Sequence, residues 1–380
     1  MNFKSLKFLT QRRIEAFVFL IIFFGLFSYI GNIMGLPNML NTIMQTSYHL
    51  LMETVLYIMG ITVLSGALGK LLTEFGVVRL IEVGLKPLMK PLYNLPGVAA
   101  LGGILTFLSD NPAIISLAKD KNFSRYFKTY QLISLTNFGT SFGMGLVVII
   151  FMAGRGFASA AIIGLVGAVI GSVISTRIMQ KSILKSYPEL EQSEFGDGDE
   201  QSISFKSEGS VFLRVLNSVL DGGKTGVDLG LAIIPGVLII STFVMMLTFG
   251  PSEAGFTGSA YEGIGILPHL AGKIGFVFEW LFGFTSPELI AFPMTSLGAV
   301  GAALGLVPKF QDAGLIDANA IAVFTAMGMC WSGYLSTHTA MLDSLGYRKL
   351  TGKAIISHTI GGLFAGISAH WLFVLFSVIF

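Results

Sequence analysis

Long apolar runs recur along the whole sequence and constrain the fold more than any other feature. A run of about 20 apolar residues is long enough to cross a lipid bilayer as a helix. Only 12% of the 380 residues are charged, whereas soluble domains carry about 25%. The pattern predicts an all-α polytopic membrane protein. The expected spans lie near residues 15–36, 49–70, 129–153, 157–178, 226–248, 318–345 and 353–379.

Two stretches of mixed polarity, 75–118 and 262–308, do not fit a plain span. The first holds basic residues and prolines and then the sequence SDNPA at 109–113. The second holds TSPE at 285–288 and then a glycine-rich run. Proline lacks a backbone donor and breaks a helix that precedes it. Each stretch therefore predicts an amphipathic arm followed by a helical gate hairpin.

Positive charge is distributed unevenly between the two predicted sides of the membrane. If the N-terminus is cytoplasmic, the cytoplasmic segments contain every Lys and Arg except Arg155, Lys273 and Lys309. Basic residues concentrate on the cytoplasmic side of helical membrane proteins. We therefore expect a multi-pass protein of the inner or plasma membrane with its N-terminus in the cytoplasm.

The same layout divides the chain into four parts. Residues 1–48 comprise a basic segment, a signal-anchor helix and an external loop, and residues 49–182 form a first repeat. Residues 183–224 form an acidic, serine-containing cytoplasmic linker that ends in an amphipathic helix. Residues 225–380 form a second repeat.

The two repeats share an order of features: span, arm, hairpin, interrupted span, span. The hairpin sequence PLYNLPGVAALGGILTFLS (91–109) resembles EWLFGFTSPELIAFPMTSLGAVGAAL (279–304). The interrupted spans contain LTNFGTSFGMG (135–145) and MGMCWSGYLSTHTAMLD (327–343). By charge the first copy starts outside and the second inside, so the copies are inverted. Inverted repeats with discontinuous helices are typical of secondary transporters, which bind substrate where the repeats meet.

Polar residues in the hairpins and interrupted spans are the candidate substrate-binding residues. Irregular backbone at membrane depth occurs only where it is buried in protein or lines a water-filled cavity, and an acidic residue there costs about 3 kcal/mol or more unless it is paired or hydrated. The hairpin candidates are Asp110, Asn111, Thr285, Ser286 and Glu288. The candidates in the interrupted spans are Asn137, Thr140, Ser141, Ser332, Thr337 and His338.

Each candidate also has a structural interpretation. Asp110 and Asn111 could lie at the cytoplasmic surface, because basic residues follow closely, and Glu288 could lie in an external loop. Asn137 and its hydroxyl neighbours could pack helices, as small polar residues often do in membranes. His338 could be a ligand, a proton relay or a hydrogen-bonded interior residue.

The hairpin sequence LPGVAAL (95–101), the interrupted span behind it and the inverted halves resemble the nucleoside-recognition, or Gate, domain family. That family is similar in plan to concentrative nucleoside transporters and to the membrane part of ferrous-iron transporters. The resemblance covers roughly residues 50–375. Where nucleoside transporters carry a Gln-Thr/Ser-Glu-Ala-Pro type signature, this chain has Ser109–Asp110–Asn111–Pro112–Ala113.

The resemblance implies a secondary active transporter of a small polar metabolite, either nucleoside- or nucleobase-like or an organic anion. It implies Na⁺ or H⁺ coupling without another cofactor, hairpin-gated alternating access, and a homo-oligomer in the lipid bilayer. No nucleic acid polymer is expected as a partner.

Two other functional classes remain open from the residues alone. One is a non-transporting membrane scaffold in envelope or spore biogenesis. The other is a metal-ion permease that uses Met327, Met329, Cys330 and His338, since soft ligands suit Cu(I) or Fe(II). An enzyme is not expected, because the sequence contains no HExxH or P-loop motif.

Overall fold

The structure is a computed structural model that describes residues 11–192 and 209–379, and those residues form a bundle of α-helices. The helices of the first half are α1 (Gln11–Met34), α2 (Leu36–His49), α3 (Leu56–Glu74), α4 (Val77–Leu88), α5 (Ala99–Leu108), α6 (Pro112–Lys119), α7 (Lys121–Ser124), α8 (Thr129–Thr140), α9 (Gly145–Gly154) and α10 (Ala158–Ser186). The helices of the second half are α11 (Val211–Ala232), α12 (Thr242–Thr248), α13 (Ile266–Gly272), α14 (Gly275–Phe282), α15 (Ala291–Ser296), α16 (Val300–Leu304), α17 (Leu306–Asp312), α18 (Ala318–Cys330), α19 (Tyr334–Ser344) and α20 (Thr351–Ile379).

Wider π-helical turns continue or connect several helices. They connect α2 to α3 at Leu50–Val55, extend α4 at Met89–Tyr93, and lie between α11 and α12 at Gly236–Ser241. In the described residues, six helical segments are long and apolar enough to cross a membrane. The chain is therefore an all-α polytopic membrane protein, as its apolar runs predict.

The predicted order of features is present in both halves. In the first half, arm α4 leads to a hairpin of α5 and α6, then to the interrupted pair α8–α9 and the long span α10. In the second half, arm α13–α14 leads to a hairpin of α15 to α17, then to the interrupted pair α18–α19 and the long span α20. We call α5–α6 the first hairpin and α15–α17 the second hairpin.

Two expected segment types are wrong. Residues 37–48 are helical rather than a loop, because Gly35, at φ +80°, allows a sharp turn and Pro37 starts α2 in the first helical turn, where its missing donor is harmless. The expected linker 183–224 is helical at both ends, since 183–186 complete α10 and 211–224 belong to α11 without a separate amphipathic helix. Most of its acidic sequence lies outside the described residues, as do residues 1–10.

Small residues set the spacing between the long helices. α3 and α11 approach so closely that a Cβ atom at Gly222 would overlap the carbonyl oxygen of Gly66. Thr62 Oγ1 donates to the carbonyl of Gly226 across the same contact, at 2.7 Å. Close backbone approach at small residues is a common way to pack helices in lipid, where apolar burial gives little driving force.

Candidate functional site

The tip of the first hairpin is the segment Ser109–Asn111, between α5 and α6. Pro112 occupies the first position of α6, where its fixed φ and missing donor are compatible with a helix start. Asn111 is buried, and its Nδ2 donates to the backbone carbonyl of Ser332. The tip therefore contacts the interruption of α18–α19, from the other half of the chain.

The interruption between α8 and α9 lies against the same tip. Its residues are 141–144, and Met144 adopts a left-handed conformation at φ 53°. Asn111 Oδ1 and the Cβ of Ser332 lie over the face of Gly143, where a Cβ atom would overlap Asn111 Oδ1. Glycine at 143 is thus what allows the hairpin tip and both interrupted helices to meet.

The tip of the second hairpin reaches the same interruption of α18–α19. This tip is Leu297–Ala299, between α15 and α16. Gly333 turns the chain into α19 at φ +59°, and a Cβ atom there would lie 3.6 Å from the carbonyl oxygen of Gly298. Two hairpin tips and two helix interruptions therefore converge in one region, which we call the tip junction.

Several buried polar atoms at or beside the tip junction have no hydrogen-bond partner in the described part of the chain. They include Oδ1 of Asp110, Oδ1 of Asn111 and both ring nitrogens of His338. Nearly all buried polar side chains in proteins are hydrogen-bonded, and an unpaired group calls for a water, an ion or a ligand. The tip junction thus offers a carboxylate and an amide oxygen to a polar guest.

A hydrogen-bonded network lies next to the tip junction and links α8, α10 and α20. Asn137 Nδ2 donates to Ser175 Oγ at 3.0 Å and to the Ala354 carbonyl at 3.1 Å. Ser175 Oγ lies 3.0 Å from Nδ1 of His358, whose Nε2 bonds the Cys330 carbonyl. The amide nitrogen of Asn137 therefore joins three helices, while its Oδ1 is buried without a partner in the described residues.

Three predicted hydroxyl candidates bond to their own helices. Thr140 Oγ1 donates to the Thr136 carbonyl at 2.6 Å, and Ser141 Oγ donates to the Asn137 carbonyl at 2.8 Å. Thr337 Oγ1 donates to the Gly333 carbonyl at 3.1 Å. Thr140 also lies 3.5 Å from Nε2 of His358, at the limit of a hydrogen bond. Their hydroxyl protons are thus already used at the helix ends.

His338 and His358 form a buried pair, of which the sequence predicts only His338 as a candidate. Their ring centroids lie 4.7 Å apart, and Tyr334 packs against both rings. From the sequence alone, His358 looks like an ordinary packing residue of the last span. The partners of His358 come from α8, α10 and the end of α18. No local sequence pattern predicts such distant contacts.

Thr285, Ser286 and Glu288 are not at the tip junction. They lie where the second hairpin begins, and the Ser286 hydroxyl donates to the Glu288 carboxylate. Asn319, in the first turn of α18, donates to the carbonyl of Phe282 at 2.9 Å, whereas Ser332 follows the last turn. The 13 residues of α18 separate these two ends by roughly 20 Å at about 1.5 Å per residue.

The physical reason for this misplacement is the position of Pro287. It stands in the first turn of a 3₁₀ segment, Pro287–Ile290, and so begins the hairpin helix instead of breaking it. The break falls ten residues later, at Leu297–Ala299, where Ala299 is extended. Aligning the two halves on their prolines therefore put the second tip in the wrong place.

The sulfur-containing side chains of the metal hypothesis each contact a different part of the protein. The Sγ atom of Cys330 faces the Ala168 carbonyl at 3.7 Å. Met327 lies beside Gly366, and the sulfur of Met329 lies beside Gly145. Within residues 11–192 and 209–379, no group of three or more His, Cys, Asp or Glu side chains could hold a metal ion.

Known proteins resemble this chain in part of its sequence and in its fold. Residues 55–156 match the Gate family, described as nucleoside recognition. The resemblance noted in the sequence is thereby confirmed, and the matched Gate segment contains the first hairpin and the first interrupted helix. No curated protein sequence matches the chain.

The fold of the chain is similar to that of a concentrative nucleoside transporter, CNTnw. Two outward-facing CNTnw structures give TM-scores of 0.50 and 0.52 at 13% identity, and each alignment covers 83% of this chain and 75% of that chain. An intermediate-state structure gives 0.51 at 12% identity, covering 95% and 86%. At such low identity the likeness establishes the fold.

Proposed function

We propose that this protein is a secondary active transporter of a small, neutral, polar metabolite, with nucleosides and nucleobases as the leading class. The observation that carries the proposal is the tip junction, where two hairpin tips and two helix interruptions meet around unpaired buried oxygen atoms. Discontinuous helices at a repeat interface are the usual setting of a transporter binding site. The Gate match and the nucleoside-transporter fold support the same class.

The chemistry of the tip junction favours a donor-rich solute over an organic anion. An ionised carboxylate only accepts hydrogen bonds, as does an amide oxygen. Asp110 and Asn111 each hold an oxygen without a partner in the described residues. Sugar hydroxyls and base N–H groups would satisfy these oxygens, whereas an anionic guest would be repelled by Asp110.

Either of two ions could couple transport to a gradient. Na⁺ is a hard cation that prefers oxygen ligands, which the hairpin tip provides, while a proton could be taken up by the Asp110 carboxylate. We propose Na⁺ or H⁺ coupling without another cofactor, across the inner or plasma membrane. Asp110 Oδ1, which is buried without a hydrogen-bond partner in the described residues, is the group that we propose either ion contacts.

The experiment measures thermal stabilisation of the purified protein by a panel of nucleosides, nucleobases and organic acids, each with and without Na⁺ and at two pH values. A ligand at 100 times its Kd stabilises the folded state by about 2.7 kcal/mol. We expect a nucleoside or nucleobase to stabilise the protein, and Asp110→Asn to abolish the effect.

Glu288→Gln is the matched control, because it removes the same charge at a site near the opposite end of α18. It should retain the ligand effect. Loss of stabilisation in Glu288→Gln but not in Asp110→Asn would contradict the proposed site. A well-folded protein that no class of solute stabilises would favour the scaffold function instead.

A further inference from the structure

The arm before the first hairpin lies between an apolar cavity and a cavity lined by basic residues. We call α4 together with Met89–Tyr93 the first arm. On one side lies an apolar cavity of about 400 Å³ between the first arm, the first hairpin and the α8–α9 pair. Its walls are aliphatic and aromatic side chains, among them Leu85, Leu88, Leu92, Ile104, Phe107 and Phe142. A cavity with such walls accepts hydrocarbon and excludes ions.

The other side of the first arm faces a cavity of about 510 Å³ with a different character. Lys86 and Lys90, one helical turn apart, line it with the amide side chains of Asn94 and Gln131. The stem of Lys86 crosses Gly97 so closely that a Cβ atom there would overlap it, so the hairpin backbone itself positions this lysine.

A third cation reinforces the same end of the first arm. The guanidinium of Arg177, on α10, donates to the carbonyls of Pro91 and Leu92 at 2.7 and 2.8 Å. These bonds fix a full positive charge at the carbonyl end of the arm, next to Lys90. The cavity is thus lined by two lysines, and a third cation is held at the adjoining end of the arm.

The corresponding place in the second half has the opposite character. A cavity of about 280 Å³ at the start of the second hairpin is lined by Glu279, Thr285 and Ser286, without a lysine or arginine among the described lining residues. A similar contact lies beside each cavity. Gln131 donates to the Asn94 carbonyl at 2.7 Å, and Asn319 donates to the carbonyl of Phe282. The basic character therefore belongs to the first arm and not to hairpin architecture in general.

We propose that the first arm binds an anionic phospholipid, with the phosphate against Lys86 and Lys90 and an acyl chain in the apolar cavity. Successive helix positions differ by about 100°, so the lysines lie on the face adjacent to the row of Leu85, Leu88 and Leu92. A lipid that crosses the edge of the arm meets both faces at once. Basic pockets between membrane helices commonly hold anionic headgroups.

The apolar cavity distinguishes a lipid from a free phosphate compound. A soluble phosphate would use only the lysines and would leave the leucine row exposed, at 37% for Leu85 and 46% for Leu88. An acyl chain would fill the apolar cavity and pack against this row through van der Waals contacts, which a soluble anion cannot make. Charge complementarity and the adjoining hydrocarbon cavity together select a lipid.

Native mass spectrometry of the detergent-purified protein tests the assignment with phosphatidylglycerol and phosphatidylcholine as probes. We expect phosphatidylglycerol to be retained preferentially. Replacing both lysines, Lys86→Gln with Lys90→Gln, should lower its affinity roughly tenfold to thirtyfold, because each lysine near an anionic lipid contributes about fivefold. The control is Lys119→Gln with Lys349→Gln, which removes the same charge from exposed positions and should leave retention unchanged.

Leu88→Trp narrows the apolar cavity without a change of charge and should also weaken phosphatidylglycerol binding. Glycerol 3-phosphate should not compete with the lipid. Equal retention of phosphatidylglycerol by the Lys86/Lys90 variant and its control would overturn the proposal. So would full competition by glycerol 3-phosphate, which would assign the cavity to a soluble phosphate.

Discussion

At the scale of single residues, the tip junction depends on which side chains are absent as much as on which are present. Asn111 can reach the Ser332 carbonyl only because Gly143 leaves room for its amide. The SDNPA sequence predicted a polar hairpin tip near Asp110, and the structure has its break there. The partners of Asn111 lie 32 and 221 positions away, and no local sequence pattern encodes such pairs.

Gly143→Ala should displace the first hairpin tip. The new methyl group would overlap Asn111 Oδ1 and press on Ser332, so the bond between Asn111 and the Ser332 carbonyl should be lost. Hydrogen–deuterium exchange of residues 107–113 should become faster. Gly84→Ala is the control, since no atom of the described residues lies within 4 Å of its Cβ position. Unchanged exchange in both variants would argue against the contact.

Glu262 lies in the loop between α12 and α13, and its hydrogen bonds lead us to expect that the folded protein loses stability in acid. Its burial alone would raise the pKa, but hydrogen bonds from the Thr257 hydroxyl and from the amides of Thr257 and Gly258 outweigh burial and lower the pKa below its ordinary value. A carboxyl with a depressed pKa stabilises the fold above its unfolded pKa, and this contribution is lost as the pH falls through the folded pKa.

The melting temperature of the wild type should therefore fall below about pH 4.3, the ordinary pKa of glutamate. Part of this fall should be absent in Glu262→Gln. The difference in melting temperature between the two proteins should be largest at neutral pH and shrink in acid. A constant difference across the pH range would show that Glu262 contributes through packing and not through its charge.

At the scale of elements, glycine placement decides which helices can touch. α3 and α11 meet at Gly66, Gly222 and Gly226, and a Cβ atom at Gly222 would overlap the Gly66 carbonyl. The hydropathy pattern predicted both spans but not their pairing, because small residues occur along most helices of this chain. The pairing follows from which glycines face each other after folding.

Gly222→Ala and Gly223→Ala form a matched pair in α11. The first should destabilise the protein by about 1–3 kcal/mol, the usual cost of overpacking, because backbone atoms of α3 must move. The second should cost far less, since its Cβ would make only an ordinary 3.7 Å contact with Val63. Thermal unfolding in detergent measures both, and equal losses would contradict the close approach of α3 and α11.

At the scale of the whole molecule, the charge distribution predicts which ends of the bundle face the cytoplasm. The predicted cytoplasmic side includes Lys119, and the predicted outer side includes the loop that contains Glu253. Both positions are exposed, whereas the single cysteine, Cys330, is buried. The natural protein therefore offers a low background for thiol labelling.

Glu253→Cys should react with a membrane-impermeant maleimide in intact cells. Lys119→Cys should react only after the membrane is permeabilised. Each variant is the control for the other, because both carry one exposed cysteine in the same background. Labelling of Lys119→Cys alone in intact cells would reverse the predicted orientation of every span.

The sequence by itself determined the class of fold, since apolar runs of bilayer length and an uneven distribution of basic residues leave few alternatives in water or lipid. It also determined the repeated order of arms, hairpins and interrupted helices, because proline and glycine act locally on the backbone. Tertiary structure alone decided that Glu288 lies at one end of α18 and Ser332 at the other, and that His358 joins the network around Asn137. Contacts between distant segments depend on how helices pack in three dimensions, and local sequence patterns do not specify that arrangement.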